Sequence, residues 1–120
     1  MQHIGVDIVE IARIEKAITR WGNSFLERVY TGPELKLYGG RASSLAARFS
    51  GKEAVIKALN SRKISLKEIE ILSDPGGRPR VMLYGRARRK ARHLHLANLA
   101  ISLSHSRDYA VACAIGETDP

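Results

Sequence analysis

Two carboxylates are the first candidates for chemistry in this sequence. Asp7 interrupts the apolar run IGVDIV, and Glu53 lies among cations in the stretch RFSGKEAVIKAL. A carboxylate in a buried strand is expensive unless it is paired, hydrogen-bonded or bound to a metal, although alternation along the strand also allows Asp7 to face solvent. Two carboxylates that are completed by water and substrate oxygens suit Mg²⁺. Asp7 and Glu53 are therefore candidate ligands of a magnesium ion.

Several basic side chains accompany these carboxylates. Arg48, Lys52 and Lys57 lie four or five residues from one another or from Glu53, near one side of a predicted helix. A Glu and a Lys four residues apart ordinarily form a surface pair, but the additional cations favour a site for phosphate oxygens. His105 ends a predicted strand, where it could contact phosphate, act as a base or donate to a loop carbonyl.

Other kinds of active site find no support in the sequence. Cys113 is the only cysteine, which excludes a disulfide framework within the chain and a cysteine-rich zinc site. No phosphate-binding glycine loop, dinucleotide fingerprint or nucleophile elbow is present. The apolar runs are too short for a membrane span, and the N-terminus lacks a signal peptide, so we expect a cytoplasmic protein with no membrane partner.

The elements that must position these residues form one predicted α+β domain over residues 1–120. A strand over 2–9 precedes three helical segments, the first of which ends at Gly22. Thr31 and Glu34 form a capping-box signature at the start of a segment that the Gly39-Gly40 pair ends. The stretch 42–60 is the best helix candidate. Turn residues in DPGGRP and HSRD predict two hairpins, and a helix over 86–96 separates them. The order of the elements indicates an α+β fold.

The distribution of charge favours an anionic partner. The net charge is +8, and no acid lies between Pro75 and Arg107, a stretch that holds eight cations. Nucleic acid, a phosphorylated small molecule and an acidic protein all fit such a stretch. The alternative function is therefore a small basic nucleic-acid-binding domain. We consider nucleic acid an unlikely principal partner, because RARRKAR has no interleaved aromatic residues and because Asp7 and Glu53 would stay unexplained.

Three blocks of sequence together resemble a known family. GVDIVEIARIE, RFSGKEAVIKAL and ISLSHSRDYAVACAI are similar, in this order, to the signatures of the holo-[acyl-carrier-protein] synthases, the short bacterial 4′-phosphopantetheinyl transferases. DPGGRPRVML resembles the glycine-rich hairpin of that family. Ser50 and Gly51 replace the family's usual small alanines. The resemblance implies the family's α+β fold, in which a mostly antiparallel sheet packs against a long helix.

The resemblance also implies a reaction and its catalytic residues. The family transfers the 4′-phosphopantetheine group of coenzyme A to a serine of apo acyl carrier protein, in fatty acid biosynthesis, and adenosine 3′,5′-bisphosphate leaves. By the matched motifs, Asp7 and Glu53 would ligate Mg²⁺, and Glu53 or a water that it holds would take the serine proton. Lys57 would bind the phosphates of coenzyme A and stabilise their charge during transfer.

Binding residues follow from the same resemblance. Arg48 and His105 would contact the bisphosphate end of coenzyme A, and Lys52 lies in the same motif with a coenzyme-binding role. Arg13 and Arg20 would face the acidic carrier protein from the first helix. The short members of the family form homotrimers with active sites at subunit interfaces, and we expect the same assembly here.

Overall fold

A long helix lies across the inner face of a sheet in the computed structural model, which describes residues 1–119. The elements in chain order are β1 Gln2–Glu10, α1 Ile11–Trp21, α2 Asn23–Val29, α3 Gly32–Tyr38, α4 Ala42–Leu59, β2 Ile69–Ser73, β3 Pro79–Leu83, α5 Gly85–His93, β4 Leu96–His105 and β5 Tyr109–Thr118. A short 3₁₀ turn, Leu66–Glu68, precedes β2. This architecture confirms the predicted α+β fold, in which antiparallel strands pack against a long helix.

The strands form two antiparallel sheets. One has the order β1–β5–β4, and the other is the hairpin of β2 and β3. The residues of β1 alternate, so that Gly5, Asp7 and Val9 face α4 while their neighbours point away from it. Asp7 is therefore on the inner face of the sheet, partly buried, and the solvent-facing alternative is wrong.

Small residues bring α4 unusually close to the sheet. A Cβ added to Gly5 would lie 1.9 Å from the carbonyl oxygen of Ala54, so no larger residue fits there. On the central strand, Ala110, Ala112 and Ala114 are fully buried beneath the same helix. Because β1 and α4 touch at Gly5, the side chains just beyond that contact on both elements are forced together.

The central helix is buried around most of its circumference. Phe49 and Ile56 share the helical spacing of the buried Leu45 and Leu59, but both are only partly buried. Buried residues instead occur around most of the helix, which leaves no continuous polar face. The sheet, the β2–β3 hairpin and the other helices surround α4 and cover these residues. A Cβ on Gly51 would lie 2.6 Å from Ile71 Cδ1, which explains the small residue in mid-helix.

Turn and cap chemistry explains most element boundaries. Thr31 and Glu34 form a complete capping box at the start of α3, as predicted. The helix α5 ends at His93, three residues before the predicted end, because His95 adopts a φ of 55° that no helix continues. Trp21 lies at helical spacing from Ile14 and Ile18, which pack into the core, but it is 57% exposed. Within residues 1–119, no helix is both long and apolar enough to cross a membrane.

Candidate active site

Asp7 and Lys57 meet where β1 touches α4. The Nζ atom of Lys57 donates hydrogen bonds to Asp7 Oδ1 at 3.1 Å and to the Val6 carbonyl oxygen at 2.9 Å. Asp7 is more buried than Lys57, since their side chains are 17% and 54% exposed. The contact follows from Gly5, which lets α4 approach β1 two residues before Asp7. The ammonium group offsets the cost of a carboxylate on the inner face of the sheet.

Glu53 lies one helical turn before Lys57 and completes a cluster of charged groups. Burial raises the pKa of the Glu53 carboxyl, and the neighbouring charge of Asp7 raises it further, while Lys57 opposes both effects. Two carboxylates that repel each other in this way favour a cation between them. That Asp7, Glu53 and Lys57 share one site stays a prediction, and the electrostatic coupling of the three groups supports it.

The donor set at this cluster fits magnesium better than zinc. No group of three or more His, Cys, Asp and Glu side chains with metal-binding geometry occurs within residues 1–119. A cation bound by Asp7 and Glu53 would thus keep open positions for water and substrate oxygens. Mg²⁺ is commonly bound through one or two carboxylates and substrate phosphates, whereas structural zinc needs four protein ligands.

A cleft of about 510 Å³ opens beside Glu53 and Lys57. Its walls combine cationic and apolar side chains: Lys57, Arg62, Ile56, Ile64 and Leu66. The sequence analysis missed Arg62, because it lies in a loop outside any recognised motif. Such a cleft can hold a molecule that carries phosphate at one end and an extended, less polar chain at the other.

Arg48 and His105 are brought together at a second, smaller cleft of about 190 Å³. Arg48 is 6% exposed, and its guanidinium donates to the carbonyl oxygens of Ile71 and Ser44 and to Ser73 Oγ. The same group lies 3.4 Å from the centroid of the Tyr38 ring. These contacts hold the guanidinium in one orientation at the edge of the cleft, which the exposed His105 also lines.

Lys52 does not reach either cleft. Its side chain is completely buried, and Nζ lies 2.6 Å from Glu34 Oε1, 2.6 Å from the Ile69 carbonyl oxygen and 3.1 Å from that of Leu66. Burial lowers the pKa of Lys52, and the charge of Glu34 opposes this shift. All three N–H donors of the ammonium are occupied inside the protein. The coenzyme-binding role that the resemblance implied for Lys52 does not agree with this position.

Arg13 and Arg20 lie on α1, away from the Asp7–Glu53 cluster. Arg13 lines a cleft of about 360 Å³ together with Trp21, Phe25 and Arg28. The Arg20 guanidinium stacks on the Trp21 ring at 4.8 Å from its centroid. The sequence analysis missed the aromatic residues and Arg28, because a Trp at helical spacing is more often part of a core. Exposed aromatic groups among arginines are typical of protein-binding surfaces.

Comparisons with known proteins agree with this arrangement. The model of the 4′-phosphopantetheinyl transferase superfamily matches residues 3–114. A holo-[acyl-carrier-protein] synthase of Dehalococcoides mccartyi is 52% identical over 118 residues, which cover 98% of this chain and 99% of the relative. The protein of the same name from a second strain of that species is 50% identical over 118 residues, with the same coverage.

A solved structure extends the likeness to three dimensions. The crystal structure of Helicobacter pylori holo-[acyl-carrier-protein] synthase in complex with coenzyme A superposes with a TM-score of 0.86 and 35% identity. The superposition covers 95% of this chain and 99% of the other. Sequence and fold therefore agree over nearly the whole length with the resemblance seen in the three sequence blocks. The chain belongs to the 4′-phosphopantetheinyl transferase superfamily, among the holo-[acyl-carrier-protein] synthases.

Proposed function

We propose that this protein transfers the 4′-phosphopantetheine group of coenzyme A to a serine hydroxyl of apo acyl carrier protein. The observation that carries the proposal is the meeting of Asp7, Glu53 and Lys57 at the contact that Gly5 permits between β1 and α4. These groups can bind a cation, a phosphate and a proton side by side. In the reaction, the serine oxygen forms a bond to phosphorus, and the bond to adenosine 3′,5′-bisphosphate breaks.

Asp7 and Glu53 are the proposed ligands of Mg²⁺. When bound, the ion supplies positive charge that neutralises the pyrophosphate oxygens. Lys57 also helps to neutralise the pyrophosphate oxygens, since its exposed ammonium can turn from Asp7 to a phosphate oxygen. Glu53, or a water that it holds, is the proposed acceptor of the serine proton.

Coenzyme A is proposed to use both clefts near the long helix. The cleft beside Lys57 and Arg62 suits phosphate followed by an extended chain, because apolar walls continue beyond its cations. Arg48 and His105 suit the bisphosphate end, where a preoriented guanidinium can bind phosphate in bidentate fashion. Lys52 has a structural role in this proposal.

The carrier protein is proposed to bind at Arg13 and Arg20. Support comes from two aromatic side chains beside them: the exposed Trp21 stacks on Arg20, and the partly buried Phe25 lines the cleft next to Arg13. An acidic protein would meet positive charge at the rim and an apolar anchor at the centre. Arg28 on α2 extends this surface.

A homotrimer is the proposed assembly. Six of the eleven exposed large apolar side chains lie on the outer face of the β1–β5–β4 sheet, namely Ile4, Val6, Ile8, Tyr109, Val111 and Ile115. A continuous apolar face of this kind favours contact with another protein surface. The sheets of neighbouring copies are the proposed occupants, with active sites completed across the interface.

Fatty acid biosynthesis and a cytoplasmic location stay predictions of the sequence.

Intact mass spectrometry tests the proposed reaction. Apo acyl carrier protein is incubated with the purified protein, coenzyme A and Mg²⁺. We expect the carrier to gain the mass of one phosphopantetheinyl group. The gain should disappear when the carrier's acceptor serine is replaced by alanine, which confirms the site of attachment. An unmodified carrier after long incubation with a folded, assembled enzyme would contradict the proposal.

A further inference from the structure

The helix α5 presents a cationic surface that the proposed transfer does not use. Ala87 is buried and Ala91 partly buried against the core, so they define the inner side of the helix. The rest of its circumference carries only basic side chains: Arg86, Arg88, Arg89, Lys90, Arg92 and His93. Apart from the partly buried Lys90, all of these residues are exposed. Glu68 lies at the edge of this surface, where its carboxylate accepts a hydrogen bond from the Arg86 backbone N–H, and the Arg86 side chain donates to the Lys63 carbonyl oxygen.

This surface is electrostatically unfavourable for the isolated protein. The three ion pairs of residues 1–119 are Lys52–Glu34, Lys57–Asp7 and Arg80–Asp74, and none involves α5. Cations three and four residues apart on one helix repel each other, at roughly 0.2–0.5 kcal/mol for each pair. Arg88, Arg89 and Arg92 make no ion pair within residues 1–119 and contribute nothing evident to folding, which points to a role in binding an anion.

The surface is also separate from the regions proposed for the carrier protein and for assembly. The helix α1 packs with the first half of α4 around Leu45 and Ala46, whereas α5 packs with the second half around Ala54 and Ala58. The molecule is 45 Å long. The carrier surface proposed on α1 and the cationic surface of α5 therefore lie beside different halves of α4. Because α5 lies on the inner side of the sheet, contact through the outer sheet face leaves it free.

The chemistry of the surface favours phosphate over other anions. Protein interfaces need aromatic or aliphatic anchors, and membrane-binding helices need large apolar side chains beside their charges. The exposed side of α5 has neither. Arginine predominates over lysine on it, and the guanidinium matches phosphate oxygens in bidentate fashion. Non-specific binding to nucleic acid requires only such cations.

The arrangement of the cations favours a double helix. Arg88 and Arg92 form a row on one flank of α5, Arg86 and Lys90 form a row on the other, and Arg89 lies between the rows. A helix with its side chains is roughly 10–12 Å wide, close to the width of about 12 Å of the major groove of B-form DNA. We propose that α5 binds duplex DNA without sequence preference, with one row of cations on each phosphate backbone.

Fluorescence anisotropy with a labelled mixed-sequence DNA duplex of about 20 base pairs tests the proposal. We expect a dissociation constant of roughly 10⁻⁴ to 10⁻⁶ M near physiological salt, with a logarithmic salt slope of about −4 to −5 from five cations. The triple variant R88A/R89A/R92A should bind about tenfold or more weakly, and its slope should flatten by about 3. Its melting temperature should not fall, since alanine favours helix and removes repulsion.

A variant with the same loss of charge controls for non-specific attraction. Lys16, Lys36 and Arg41 are exposed cations outside α5, and K16A/K36A/R41A should retain nearly wild-type DNA binding. Equal losses in the two triple variants would overturn the proposal, because only net charge would matter. So would equal or tighter binding of duplex RNA, of anionic phosphatidylglycerol vesicles or of poly-glutamate.

The transferase reaction supplies an independent comparison. R88A/R89A/R92A should keep the wild-type Michaelis constant for the carrier protein, since that partner is proposed to bind α1. An increase in this constant without a loss of DNA binding would assign α5 to the carrier and would overturn the DNA proposal. DNA binding does not require transferase activity, so failure of one proposal is distinguishable from failure of the other.

Discussion

At the scale of single residues, Asp7 and Glu53 are the two side chains on which the proposed chemistry depends. Replacing either by its amide removes a charged ligand while it keeps the shape of the side chain. We expect D7N and E53Q each to lower turnover by on the order of 100-fold or more, because charge neutralisation at the phosphates is lost. The rate of carrier modification at saturating substrate measures this effect.

The amide variants need a control for folding and for general loss of charge. Glu27 is an exposed acid on α2, so E27Q should keep wild-type turnover. Circular dichroism should show the same fold in all three variants. Near wild-type turnover in a folded D7N or E53Q protein would remove that residue from the catalytic site.

Glu53 should also make stability depend on pH in the metal-free protein. Its pKa is raised in the folded state above the ordinary value of 4.5, chiefly by burial. A raised folded pKa means that the folded state binds more protons than the unfolded state, so its contribution is lost as pH rises from 4.5 through the raised pKa. We therefore expect the free energy of unfolding of wild type, relative to E53Q, to fall across this window.

Urea denaturation in the presence of a chelator measures this difference. The neighbouring charge of Asp7 contributes to the shift, so the difference between E53Q and its parent should be smaller in a D7N background. A difference curve that is flat, or that rises with pH, would contradict the assigned direction of the pKa shift.

At the scale of elements, the buried pair of Lys52 and Glu34 joins α3, α4 and β2. Besides binding Lys52, Glu34 accepts a hydrogen bond from the Ile71 backbone N–H at 2.7 Å. K52A leaves the Glu34 carboxylate buried without its partner. We expect this variant to lose about 3–5 kcal/mol of unfolding free energy, as measured by urea denaturation.

A double variant separates this structural role from coenzyme binding. In K52M/E34Q both charges are removed and both shapes are approximately kept, so most of the lost stability should return. The Michaelis constant for coenzyme A should stay within about twofold of wild type, because Lys52 faces no cleft. A large increase in that constant in a stable double variant would restore Lys52 to the coenzyme site.

At the scale of the whole molecule, the arginines of α1 separate the carrier protein from coenzyme A. We expect R13E/R20E to raise the Michaelis constant for the carrier by about tenfold or more, since exposed charges steer association. The constant for coenzyme A should not change, because that substrate is proposed to bind near Arg48 and Lys57. Steady-state kinetics with each substrate varied in turn measures both constants.

The same reversal of charge elsewhere serves as the control. K36E/R41E changes the net charge equally but lies outside the α1 surface, so it should affect carrier binding less. Raised salt should mimic R13E/R20E, because it screens the same field over roughly 10 Å at 0.1 M. If the Michaelis constant for the carrier is unchanged in R13E/R20E, the two arginines belong to the solvated face of α1 and do not bind the carrier.

The outer face of the sheet is the proposed interface between copies of the whole molecule. Ile8 is 64% exposed on that face, and I8E places a charge in the proposed interface. We expect light scattering to give roughly one third of the wild-type mass, because a charge at an apolar interface breaks the closed trimer. L37E, which alters an equally apolar exposed residue on α3, should leave the assembly intact. A wild-type protein that is a fully active monomer would contradict the trimer.

The local sequence pattern was sufficient to predict much of the secondary structure of this molecule. Strand alternation, cap residues and turn residues act within a few positions, and they predicted the strands, the capping box at Thr31 and both hairpins. Asp7 and Glu53 could be singled out because a carboxylate in an apolar strand and a glutamate among cations are conspicuous in the sequence itself. The family resemblance, which rests on the three sequence blocks in their order, then implied the reaction.

Only the tertiary structure decided which side of each element is buried and which partner each charge finds. Lys52 and Glu53 are neighbours in sequence, yet one is sealed against Glu34 and the other is coupled to Asp7. Trp21 shares the spacing of core residues but lies at the surface. These outcomes depend on contacts between residues far apart in the chain, such as Gly5 against Ala54, and helical or strand periodicity contains no information about them.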